Sequence, residues 1–163
     1  MRKPAKLFSA DQYRIEDSVG YLLTRSRAKL VKSVDVALAS QDITGAQGGI
    51  LVMLSTARYT TAAELARELF IDSASITRMT DRLEKRGLIM RVRRDDDRRV
   101  IDLRLTPDGQ HLAQQLPTVF AGVLCRNFAG FSADEVSLLK NLLRKFLAVA
   151  VTDGAADTAD EPA

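Results

Sequence analysis

The sequence predicts a mainly α protein with one small β-hairpin, in the order α-α-α-α-β-β-α-α. Three observations lead there. Apolar residues recur at helical spacing in six stretches, each opened by a residue able to cap a helix. Two runs alternate with period two, Leu88–Arg93 and Val100–Leu105, around the charged tip Arg94–Arg99. The longest apolar stripes lie near the two ends of the chain, outside the hairpin and the short helices before it.

Ser9 with Gln12 forms a capping-box pair, which predicts a helix from about Ala10 to Ala39. Ile15, Val19, Leu22, Leu23, Leu30, Val34 and Leu38 carry its stripe. A helix of that length needs packing along its whole extent, and a partner chain is one source. Thr44 with Gln47 opens a short helix through Ile50, Leu51, Met53 and Leu54, whose glycines must be compensated by close packing. Thr61 with Glu64 opens a third helix, and a turn at Ile71–Asp72 leads to a fourth from Ser73, stopped by Gly87. Beyond the hairpin, Thr106 and Pro107 start a helix running to about Asn127, bent at Pro117. Ser132 with Glu135 starts the last, through Val136, Leu139, Leu142, Leu143, Phe146 and Leu147.

The fourth helix and the hairpin stand out chemically. Ile76, Met79 and Leu83 make one apolar stripe, while Ser75, Arg78, Arg82 and Lys85 lie away from it. Two short helices joined by a tight turn, the second cationic, make a helix-turn-helix; the hairpin makes it winged. Residues 73–104 hold ten Lys/Arg against six Asp/Glu, an excess that suits phosphate contact but also a solvated surface. The predicted organisation is one domain over 1–163, with a winged-helix core at 44–105. Dimerisation helices flank it at 10–40 and 107–150, and an acidic tail predicted to be flexible closes the chain at 152–163. Without the tail's four acids the balance is 24 bases against 17 acids, which favours a polyanionic partner. The apolar surplus of the flanking helices points to a homodimer, and two-fold symmetry fits the reading of two DNA half-sites.

The stretch ELARELFIDSASITRMTDRLEKRGLIMRVRRDDDRRVIDLRLTPDG resembles the core of the MarR family of winged helix-turn-helix regulators. DRLEKRGLI, the DDRR tip and the LTPDG exit carry the likeness, which is close over about 60–110 and looser over 10–150. LTRSRAKL and TGAQGGILVML sit where family members have their first and second helices. The resemblance implies an obligate homodimer on a palindromic operator of double-stranded DNA, usually a repressor. It also implies release by a small-molecule effector, often an aromatic carboxylate or phenolic acid, bound between the dimerisation and DNA-binding regions. The family's base-reading places fall on Ala74, Ser75, Thr77 and Arg78. Arg78 suits a guanine edge, because its planar fork matches O6 and N7. Ser75 and Thr77 suit bases or phosphates, and Ser73 a cap or a phosphate contact at the helix start. Arg82 and Arg86 are phosphate candidates, with Arg86 also placed to stabilise the helix end. At the tip, Arg98 would enter the minor groove, and Arg99 would pair with Asp97 or face DNA.

For the effector, Tyr13, Arg14, Tyr21 and Arg25 could grip a carboxylate against Met53 and Leu54, or could be ordinary interface residues. Cys125 offers a redox switch, though its place beside Leu124 and Phe128 favours a buried structural thiol. His111 and that single cysteine lie too far apart for a metal site, so no metal or cofactor is expected. No catalytic constellation is visible, which leaves a winged-helix protein–protein adaptor as the rival to a DNA reader. One cysteine, no signal-like leader and no long apolar run predict a cytoplasmic protein with no membrane partner.

Overall fold

The structure is a computed structural model that describes residues 8–149. The acidic tail at 152–163 lies outside the described residues. Six α-helices and one hairpin follow in the predicted order: α1 Val19–Leu38, α2 Gly45–Ser55, α3 Ala62–Leu69, α4 Ser73–Lys85, β1 Ile89–Arg93, β2 Ile101–Leu105, α5 Pro107–Asn127 and α6 Ala133–Ala148. The chain packs as two units, one ending at Asn127 and one beginning at Phe128.

The first helix is shorter than its sequence predicts. The Ser9 side chain makes no cap, and Ala10–Gln12 and Ile15–Asp17 form single 3-10 turns instead. Ser18 is the cap, its hydroxyl donating to the Ile15 carbonyl and accepting the Tyr21 N–H. The stripe thus loses Ile15 from the helix, and Tyr13 and Ile15 stay exposed, with no core contact to drive an extra turn. The boxes at Thr44/Gln47, Thr61/Glu64 and Ser132/Glu135 all form with both reciprocal bonds.

The core of the first unit joins α2, α3, α4 and α5 around Ile50, Leu51, Leu65, Ile76, Leu83 and Leu116, all fully buried. Close approach explains two of the glycines in α2. A Cβ on Gly45 would sit 2.7 Å from Val34 of α1, and one on Gly48 would be 3.2 Å from both Leu38 and Phe120. At the far side, a Cβ on Gly109 would overlap the Leu88 carbonyl oxygen. There Thr106 fastens the hairpin's base to α5. Its N–H donates to the Leu88 carbonyl, its hydroxyl donates to the Gly87 carbonyl, and the same oxygen accepts the Gly109 N–H. α5 continues through Pro117 to Asn127.

β1 and β2 pair antiparallel, Ile89 opposite Leu105 and Arg93 opposite Ile101, each strand one residue shorter at its start than predicted. The outer edge of β2 is held as well, since the Leu103 N–H donates to the Thr60 carbonyl at 2.6 Å. α6, by itself, buries no residue, and Leu138, Leu142, Phe146 and Leu147 are all exposed. Val19, Leu22, Val31 and Val36 of α1 are exposed too. No helix of the described residues is long and apolar enough to cross a membrane.

Candidate nucleic-acid interface

α4 begins at Ser73 as the sequence predicts, but its cap is a different residue from the candidate the sequence suggested. Asp72, not Ser73, is the cap: its carboxylate accepts the Ser75 N–H at 2.8 Å, and Ser73 becomes the first helical residue. Both residues can cap, but an anion at a helix start gains from the dipole as well as the hydrogen bond. That bonding to the Ser75 side chain and N–H holds the Asp72 carboxyl below its ordinary pKa. Ser73, Ala74, Thr77 and Arg78 are exposed at this end of the helix and Ser75 is half-buried. Arg78 lies along the helix with its guanidinium 2.8 Å from the Ser75 hydroxyl, and the Thr77 hydroxyl donates to the Ser73 carbonyl.

The ten cations of this region divide by partner. Arg86, Arg91, Arg94 and Arg99 each pair with a carboxylate. Arg78, Arg82, Lys85, Arg93, Arg98 and Arg104 are exposed and have no carboxylate partner among the described residues. The cationic surface is therefore narrower than the composition suggests. Arg86, a phosphate candidate from sequence, instead donates to the Gln41 and Asp42 carbonyls, at 2.9 and 2.6 Å, and ties the end of α4 to the loop after α1. At the tip, Asp97 accepts both the N–H and Nε–H of Arg99, so this arginine shapes the turn. Arg98 is exposed and has no carboxylate partner among the described residues.

Two structural arginines escaped the sequence reading. Arg91 of β1 reaches back to α4, where it pairs with Asp81 at 2.7 Å, with Glu84, and with the buried Thr80 hydroxyl at 3.0 Å. Partial burial works against its charge, but the two carboxylates outweigh that and raise its pKa. Arg94 donates to Asp102 at 2.7 Å and to Thr60 at 3.4 Å, holding the Asp102 carboxyl below its usual range. The signals were present: Arg91 shares a strand face with Ile89, and Asp81 and Glu84 are three residues apart on α4. Together these contacts fix the angle between helix and wing.

A model of the MarR family matches residues 43–101. The multiple antibiotic resistance protein MarR of Salmonella typhimurium is 32% identical over 78% of this chain and 87% of its own length. The chain belongs to the MarR family. It is a DNA-binding regulator of transcription with a winged-helix fold, and not an enzyme. The organic hydroperoxide resistance transcriptional regulator of Bacillus subtilis is 28% identical over 84% of this chain and 92% of its own. A cysteine-to-serine mutant of MarR from E. coli, solved in complex with operator DNA, superposes with a TM-score of 0.72 at 30% identity. That likeness covers 79% of this chain and 93% of the other.

Other candidate residues are placed less compactly. Tyr21 and Arg25 pair on α1, with the guanidinium 3.4 Å from the hydroxyl and stacked near the ring. Tyr13 and Arg14 are exposed in the 3-10 segment before it, whereas Leu54 is spent in the core and Met53 packs against it. The shortened first helix puts Tyr13 and Arg14 outside the helix that carries Tyr21 and Arg25. Cys125 is exposed, not buried, since α5 turns Val123 inward and Cys125 outward. His111 is exposed and bonded to Gln115 at 2.9 Å. No group of metal-binding side chains occurs among the described residues.

Proposed function

We propose that the chain is a homodimeric repressor that reads a palindromic operator with α4 in the major groove and the wing tip in the minor groove. The braced helix–wing unit, with six exposed cations that have no carboxylate partner among the described residues, carries this reading. Arg78 reads a guanine edge, with Ala74, Ser75 and Thr77 beside it; Arg82 and Ser73 meet backbone phosphates; Arg98 enters the minor groove. Arg86 and Arg99 act as scaffold. The exposed apolar faces of α1 and α6 support the homodimer, because contiguous apolar surface of that kind marks association sites. Release by a small aromatic carboxylate is consistent with the Tyr21–Arg25 pair, which offers a cation and a phenol on one helix.

Selection of bound duplexes from a random pool supplies the operator for a test. Arg78→Ala should relax sequence preference and cost about 1–3 kcal/mol. Arg98→Ala should weaken all sequences alike and lower the salt slope by about one. Wild-type binding by both variants would sink the assignment.

A second reading, release by oxidation, is favoured by the exposure of Cys125. A relative named for organic hydroperoxide resistance lends it support. Under that reading an organic hydroperoxide abolishes operator binding by the wild type and spares Cys125→Ser. Equal loss in both, or none in either, leaves the ligand reading standing.

A further inference from the structure

Phe70 closes α3 in the left-handed region, with φ of 51°, and is 85% exposed. The two facts together are unusual. The chain leaves α3 by a glycine-type stop, the Ile71 N–H donating to the Ala66 carbonyl at 3.0 Å, and glycine or asparagine fills such a position at least cost. Two other non-glycine residues among those described share the conformation, Asp42 and Ala57, but one has a side chain that tolerates it and the other is small. A bulky aromatic there is strained, and burial returns nothing, because the ring packs into no core.

The position of the ring suggests what offsets the strain. Phe70 lies three residues before Ser73, at the end of α4 whose first residues meet base edges when a helix-turn-helix docks. Ser73 and Ala74, which open α4 beside it, are small and exposed. Among major-groove edges, the group that matches an apolar ring is the thymine 5-methyl.

We propose that Phe70 is a specificity-determining residue that contacts the 5-methyl group of a thymine flanking the bases read by Arg78. The inference rests on α4 being the major-groove element. Its test uses the duplex selected by the full-length wild-type protein, remade with deoxyuridine at each thymine in turn. Removing one methyl at the contacted position should weaken wild-type binding about fourfold, the value of one buried methyl-sized group. In Phe70→Gly the same replacement should change nothing, while the variant's melting temperature rises by about 2–4 °C as the strain is relieved. Phe70→Asn, which also tolerates the left-handed backbone, should repeat the result should the glycine variant fold poorly. If either variant binds as tightly as wild type and keeps its sensitivity to deoxyuridine, the proposal is overturned, even with Arg78→Ala still losing base preference. Failure of the wild type to select any duplex overturns this proposal and the groove assignment together.

Discussion

At the scale of single residues, the interface is set as much by which charges are neutralised as by which are present. Arg94 and Asp102 illustrate this. Asp102 is buried, and its pKa is lowered first by the hydrogen bond from Arg94. A carboxyl depressed in the folded state adds stability that is present above the unfolded-state pKa and lost as pH falls through the folded one. Glu64, held low by the Thr60 and Thr61 N–H groups, acts in the same direction. Melting temperature should therefore fall as pH drops below about 4, and Asp102→Asn should flatten that fall while lowering stability at neutral pH. A pH-melting series of the two proteins checks it; parallel curves would count against the pairing. The pairs of Arg91 and Arg94 were hidden from the sequence because their partners lie further along the chain or on another element, whereas Arg99–Asp97, two residues apart, was legible. Charge counting over 73–104 could not separate Arg91 from Arg93, which share a strand face, although only Arg91 reaches the carboxylates of α4.

At the scale of elements, what could be read from sequence was what is decided locally. Three capping boxes formed as spelled, since each needs only residues three apart. Ser9 and Gln12 spell a box as well, but no apolar contact waits for the helix it would start, so the chain begins α1 at Ser18. Asp72 and Ser73 are adjacent cap candidates, and only the tertiary turn after Phe70 chooses between them. Cys125 was misplaced for a similar reason: an apolar neighbourhood in sequence does not say which side of α5 faces α1 and α2. The helix–wing brace depends on tertiary geometry throughout. Arg91→Met should keep a cooperative fold yet lower operator affinity, because Asp81 and Glu84 lose the cation that positions the wing. Fluorescence anisotropy with the selected duplex, beside circular dichroism, measures both. Unchanged affinity would mean that the wing holds its angle without Arg91.

At the scale of the whole molecule, the apolar faces on α1 and α6 call for a partner surface. Leu142 and Phe146 lie four residues apart on α6, on one side of the helix, and both are exposed. Leu142→Glu with Phe146→Glu should convert a dimer to monomers, seen by analytical ultracentrifugation. It should also cut operator affinity by orders of magnitude, since two linked half-sites bind far more tightly than one. A dimer that survived both charges would move the interface away from α6.

The Thr106 fastening has a mechanical side. Three bonds from one residue weld the foot of the hairpin to the first turn of α5, and Gly109 closes the joint without slack. A strand of five residues extends about 17 Å from that weld. A swing of about 10° in α5 would thus move Arg98 sideways by about 3 Å, half the width of a minor groove. The hairpin works as a pointer whose pivot is the helix behind it, so under the proposed docking small rotations there decide whether Arg98 still reaches the minor groove.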